Sequence, residues 1–215
     1  MEQRSEQWFR ARAGRPTASQ FSRIITATGK DSEQWPELAR DLTVECVKPQ
    51  ASTGFFGSAA TEHGEELEPE ARLEFERVME MPVTQVGFVS RTHVRLDGEE
   101  VDGIAGCSPD GLIYRGGELV AGLEIKCPKS DFIHGGYLID EELPAQYRPQ
   151  VHGSMAVTGL SYWYFMSYCP GLAPFITRVE WDDYTDKVVD ALDRFVAYYA
   201  ERRKQLLPRL LGKEA

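Results

Sequence analysis

Asp110 is followed, across an apolar and glycine-rich stretch, by the triplet Glu124-Ile125-Lys126. Side chains alternate across a strand, so Glu124 and Lys126 project together while Leu123 and Ile125 enter the opposite side. A hairpin joining residues 111–115 to 119–123 brings Asp110 alongside Glu124. Two carboxylates at close range repel unless a cation lies between them. Hard oxygen donors favour Mg2+, which keeps several waters and takes one or two carboxylates plus a substrate phosphate. The Ile125 carbonyl is a further candidate ligand. A lysine on the same face can orient or deprotonate a water and balance charge at a phosphate. These are the parts needed for metal-assisted phosphodiester hydrolysis. The bland alternative is an exposed hairpin with a Glu–Lys surface pattern, which the flanking CSPDG and LEIKCP blocks make less attractive.

The elements that must position these groups are legible in part. The 215 residues, 42% hydrophobic and 11% aromatic, fit one domain spanning 1–215. A capping Thr17 and the spacing of Phe21, Ile24 and Ile25 predict a helix over 17–28. A second helix is predicted over 35–48, opening near Pro36. A third spans 59–80, with Leu67, Ala71, Phe75 and Val78 as its inner stripe and Pro69 in an early turn or at a kink. From 84 to 126 the pattern becomes strand-like, punctuated by Asp97-Gly98 and Gly116-Gly117. A helix at about 143–157, strands at SYWYFMSY and FITRVE, and a helix over about 183–206 complete the chain. In the last helix Val188, Leu192, Phe195, Val196 and Tyr199 face inward, and Arg202, Arg203 and Lys204 cap its negative end. The order implies an α/β fold with a mixed central sheet flanked by helices.

Composition narrows the setting. The four cysteines are scattered without a Cys-x-x-Cys pair, as free thiols in a reducing cytoplasm. No window is apolar enough for a membrane span, and the N-terminus lacks a secretory core. The net charge of −10 argues against a non-specific polyanion binder, though not against an enzyme with its cations gathered in one cleft. His63, His93 and His134 lack metal-ligand spacing, Lys30 reads as a solvated turn residue, and the aromatic strand at 162–168 reads as buried.

CSPDG and LEIKCP together resemble the phage lambda exonuclease type of alkaline nuclease, the YqaJ-like viral recombinases of the PD-(D/E)xK superfamily. Trp8, Arg12, Gly14 and Thr17-Ala18-Ser19 resemble that family's N-terminal block. Gly64, Glu68 and Ala71-Arg72 are similar to its G-x-x-x-E-x-x-A-R helix, and Tyr147, Gln150 and Val151 to its Y-x-x-Q-V-Q helix. The resemblance covers roughly residues 8 to 180. It implies a restriction-endonuclease-like PD-(D/E)xK core. It also implies a Mg2+-dependent exonuclease, Mn2+ being a possible substitute, digesting one strand of linear duplex DNA 5′→3′ from a 5′-phosphorylated end. A homotrimeric ring, a single-strand annealing protein as partner and a phage or prophage origin are implied with it. Asp110, Glu124 and the Ile125 carbonyl are then expected to hold one metal, Asp110 and Glu68 a second, with Lys126 at the attacking water. Arg12, Ser19 and Ser108 are expected at the 5′-phosphate, and Gln150 is expected either to orient the site or to bind the phosphate.

Several of these residues also have ordinary readings. Ser19 is equally a helix cap, and Glu68 equally an i,i+4 partner of Arg72. His152 stands where the family motif commonly has glutamine; it is either a replacement phosphate donor or a partly buried histidine. Two other functions fit the same residues: an endonuclease of this fold, and a non-catalytic module that binds DNA ends.

Overall fold

The computed structural model describes residues 1–49, 59–91, 94–96, 99–101 and 104–213. The expected strand residue His93, the Asp97-Gly98 turn and Gly103 lie outside them. Five strands form the central sheet in the order β1-β6-β7-β8-β9: β1 Val83–Thr84, β6 Gly111–Arg115, β7 Glu118–Lys126, β8 Tyr162–Ser167 and β9 Phe175–Glu180. β6 and β7 are a hairpin closed by Gly116 and Gly117, both at positive φ, which suits the twist of a two-residue turn. β7 and β8 run parallel, which requires a long crossover, and α4 (Asp131–Asp140) and α5 (Arg148–Thr158) supply it. β8 and β9 are antiparallel, so the sheet is mixed. Two short pairs lie outside it: β2 (Val89–Ser90) with β5 (Gly106–Cys107), and β3 (Val94–Leu96) with β4 (Glu99–Val101).

Each face of the sheet has its own core. On one, Leu123, Ile125, Tyr164 and Met166 pack on Ala71 and Phe75 of α3 (Ala59–Met79). On the other, Leu112, Trp163 and Phe165 meet Val151 and Met155 of α5. Beyond α5, a third cluster joins Leu38 and Leu42 of α2 (Trp35–Val47) to Val188, Leu192, Phe195 and Val196 of α6 (Asp183–Leu210). Phe21 packs so tightly on Gly153 that a Cβ there would stand 2.2 Å from its ring. All five inward positions expected on the last helix are buried.

Four expectations change. Residues 17–28 form only a 3-10 turn, Ala18–Arg23, opened by Thr17 and Gln20 and ended where Ile25 leaves to bridge Asp31. Val78 is 42% exposed; the inner stripe of α3 continues through Met79 instead, and Pro69 lies well inside the helix. α4 went unpredicted, since Gly135-Gly136 and the 93% exposed Phe132 spoil its amphipathic period. Finally, α6 runs on to Leu210, so Arg202, Arg203 and Lys204 sit within it and do not cap it.

Candidate active site

The hairpin delivers the expected residues to one strand end. The Asp110 N–H donates to the Leu123 carbonyl at 3.1 Å, continuing the ladder one step past Gly111, which pairs with Leu123. Beyond that point β6 has no further rung, and the Asp110 carboxylate takes its place: Oδ2 accepts from the Ile125 N–H at 2.6 Å. The N–H and C=O of one residue leave a strand on the same side. The Ile125 carbonyl therefore points past the end of β6, toward Asp110. Glu124, 3% exposed, receives two donors on Oε1, Lys126 Nζ at 2.6 Å and Gln150 Nε2 at 2.5 Å. Both act on one oxygen and leave Oε2 for another partner.

Glu68 and Arg72 approach from α3. Arg72 donates to Glu68 Oε1 at 2.5 Å and, through Nε, to the Asp110 carbonyl at 3.0 Å. The i,i+4 pair and the metal-site reading thus coexist, for the arginine fixes Glu68 against the aspartate loop. Arg4 faces the same carboxylate at 3.8 Å and Glu65 at 3.1 Å. A cavity of about 610 Å3 opens here, lined among others by Glu68, Asp110, Ile125, Lys126 and Tyr147.

The electrostatics mark the spot. Burial, then the Glu124 carboxylate, then Glu68, hold the Asp110 carboxyl well above the usual carboxylate range, against Lys126 and the Ile125 N–H. Burial draws the Lys126 ammonium down, but Glu124 and Asp110 outweigh it and the net shift is upward. Among the described residues no three His, Cys, Asp or Glu side chains close into a ready-made metal cage. The donor set is instead two neighbouring carboxylates, a third from α3 and a backbone carbonyl. This sparse, all-oxygen set fits Mg2+, which retains waters, better than a softer metal.

A second cluster lies across the Ser108-Pro109-Asp110 loop. Arg12, on α1 (Glu6–Arg12), donates to Ser108 Oγ at 2.9 Å, Thr17 Oγ1 at 3.1 Å and Ser19 Oγ at 3.3 Å. Burial lowers the guanidinium to about 10, opposed by Glu45, so it stays charged at neutral pH. Among the described residues it forms no ion pair with a carboxylate. A half-buried cation ringed by hydroxyls is a place for an external anion.

The structure does not bring every expected residue in. Gln150 reaches Glu124, so of its two expected places it takes the one that orients the acidic site and does not join the Arg12 cluster. His152 is 3% exposed on the far side of α5, its Nδ1 2.7 Å from Thr185 Oγ1 and its ring edge-on to Tyr184. A side chain so enclosed has no donor to offer a phosphate, and its place is in the core. His134 is likewise structural, held between Ser167 and the Ala173 carbonyl. Sequence reasoning missed Trp8, whose indole N–H reaches Ser108, and the part of Arg72 on the Asp110 loop. Both stand within the motif blocks, but nothing in their spacing reveals their partners.

His152 has a measurable consequence. Burial pulls it from 6.5 to about 4, although Asp182 opposes and Arg148 assists. The neutral ring is the form the fold accepts, so its contribution is complete above pH 6.5. It is lost as the pH falls from there toward about 4. His152→Gln is expected to flatten the fall in melting temperature across that window, measured by thermal denaturation at stepped pH.

The sequence model of the YqaJ-like viral recombinase domain matches residues 7–161. The chain belongs to this family. Among solved structures it is similar to an alkaline exonuclease (LHK-Exo) from Laribacter hongkongensis, with 28% identity and a TM-score of 0.76 over 97% of this chain and 99% of that one. The same enzyme in complex with dAMP matches with 28% identity and a TM-score of 0.75, covering 97% and 98%. A phage-related exonuclease from Haemophilus somnus 129PT, 14% identical, shares the fold at a TM-score of 0.57, covering 87% and 96%. No curated protein sequence matches. The mixed sheet between helices is the PD-(D/E)xK nuclease core that the motif pair predicts.

Proposed function

We propose that this YqaJ-family nuclease is a Mg2+-dependent exonuclease that digests one strand of linear duplex DNA, 5′→3′, from a 5′-phosphorylated end. One observation carries the reading. The acidic strand end and the hydroxyl-ringed Arg12 lie on either side of a single loop, with Ser108 in one cluster and Asp110 in the other. A terminal phosphate held by Arg12, Ser19 and Ser108 sets the register of the first phosphodiester against Asp110 and Glu124. The Laribacter enzyme was crystallised with dAMP, a mononucleotide of the kind that stepwise digestion from an end releases.

In this proposal Asp110, Glu124 and the Ile125 carbonyl hold one divalent ion, and Asp110 with Glu68 a second. Bound ions would supply Lewis-acid stabilisation of charge on the phosphate and the leaving 3′-oxygen. Gln150 and Lys126 fix Glu124 by one oxygen and leave the other for the ion. Lys126, charged in this setting, donates to the attacking water and orients it. Arg72 keeps Glu68 and the aspartate loop in register. A ring of three copies around the DNA, with a single-strand annealing protein taking up the exposed strand, completes the proposal. Encirclement retains a polyanion without the basic surface that a net charge of −10 withholds. No described helix is long and apolar enough to cross a membrane; the proposed setting is the cytoplasm of a bacterium carrying the phage or prophage.

The test compares linear 5′-phosphorylated, linear 5′-hydroxyl and closed circular duplexes, each with Mg2+ or EDTA. The expected order is phosphorylated above hydroxyl, with circles resistant and EDTA abolishing cleavage. Efficient nicking of circles would favour an endonuclease, and normal end binding without cleavage a non-catalytic module. Arg12→Ala is expected to lower kcat/KM on phosphorylated ends by about tenfold to a hundredfold, the range for losing a hydrogen bond to a charged group. Hydroxyl ends should change far less in the same assay.

A further inference from the structure

Trp8 is the one buried residue of α1, and it touches two members of the Arg12 cluster, Ser108 and Arg12 itself. Its indole N–H is shared between the Gly87 carbonyl at 2.8 Å and Ser108 Oγ at 2.9 Å. Its ring carries the Arg12 guanidinium, with Cζ 4.3 Å from the centroid. Ser108 Oγ therefore receives two N–H groups, from Trp8 and from Arg12. Indole and guanidinium nitrogens are donors only. Together they occupy both lone pairs of the hydroxyl, and neither can take its proton. The Ser108 O–H is left to point outward as a donor. A phosphate accepts and, when fully ionised, donates nothing. A serine that presented a lone pair would repel it, whereas one turned outward by its hydrogen binds it.

We propose that Trp8 is a positioning residue for recognition of the end phosphate: its N–H fixes the Ser108 hydroxyl as an outward donor, and its ring holds Arg12 beside it. This rests on the end-phosphate reading given above. It adds a determinant of specificity that never touches the substrate. The Gly87 carbonyl is the anchor, because it keeps the indole N–H aligned whether or not Ser108 is engaged. Since Ser108 lies on the same loop as Asp110, the same contact ties the anion cluster to the acidic strand end.

The test is a double-mutant cycle on Trp8→Phe, Ser108→Ala and the pair. Its readout is the ratio of kcat/KM on 5′-phosphorylated to 5′-hydroxyl duplex ends. Each single variant is expected to lower that ratio about tenfold, the scale of one hydrogen bond to a charged group. The double variant should fall no further, because phenylalanine keeps a ring beneath Arg12 and both changes then act through one hydroxyl. A tryptophan that merely filled space would depress both substrates alike and leave the ratio intact, which overturns the proposal. So would a double variant whose loss is the product of the two singles. A wild-type enzyme indifferent to the end phosphate would overturn the end-phosphate reading itself, and this inference with it.

Should Trp8→Phe fold poorly, the wild-type protein gives a second readout. The indole N–H resonance that Ser108→Ala displaces should move when a 5′-phosphorylated oligonucleotide is added, and stay when its 5′-hydroxyl counterpart is added. Equal responses to the two ends would contradict the assignment.

Discussion

Asp110→Asn is expected to reduce cleavage by at least about a thousandfold, the upper range for losing one electrostatic element of a transition-state site. The substitution keeps the shape of the side chain, and its amide oxygen can still accept the Ile125 N–H. What disappears is the charge that, with Glu124 and Glu68, calls for a divalent cation. Stability should move the other way. A carboxyl whose folded pKa is raised is penalised in the folded state once the pH exceeds its unfolded value. The penalty is absent in acid, where both states are protonated, and grows as the pH rises toward the folded pKa. Asparagine carries no such penalty. In EDTA at neutral pH the variant should therefore melt above the wild type, while only the wild type should gain stability when Mg2+ is added. Cleavage assays paired with melting curves, with and without Mg2+, check both halves.

Lys126→Ala is expected to lower single-turnover cleavage by at least about a hundredfold, the scale of a lost acid–base or proton-positioning group. DNA ends should still bind, since the Arg12 cluster lies across the loop from Lys126. The variant also strips Glu124 of its cationic partner. The 3% exposed carboxylate is then left with Gln150 alone, so stability in EDTA should fall, opposite in sign to Asp110→Asn. Anisotropy of a labelled duplex end with Ca2+, set beside Mg2+ cleavage rates, separates binding from chemistry. Loss of end binding in parallel with cleavage would remove Lys126 from the catalytic step.

The contrast between these two residues reflects how the sequence encodes the site. Period-two alternation placed Glu124 and Lys126 on one side of β7, and the glycine turn placed Asp110 beside them, because strand geometry leaves few options. The buried face of α6 followed from helical spacing in the same way, as did Ala71 and Phe75 on α3, though not Val78. Gly135-Gly136 and an exposed Phe132 concealed α4, which carries too little apolar period to be read. The capping Thr17 and the spacing of Phe21, Ile24 and Ile25 likewise disguised a short 3-10 turn as a longer helix. Within the site, Arg72 and Trp8 act through partners far along the chain, Asp110 and Ser108. Such contacts depend on packing between elements, which no local spacing records. His152 shows the reverse: it occupies a motif position, but the helical rotation of α5 turns it to Thr185 and away from the cleft.

The most direct measurement is anomalous diffraction from crystals of this protein soaked in Mn2+. A peak is predicted in the space bounded by the free oxygen of Glu124, the Asp110 carboxylate and the Ile125 carbonyl, and it should vanish in Asp110→Asn. Manganese elsewhere in the molecule, or a peak there that survives the substitution, would contradict the assignment of this strand end as the metal centre.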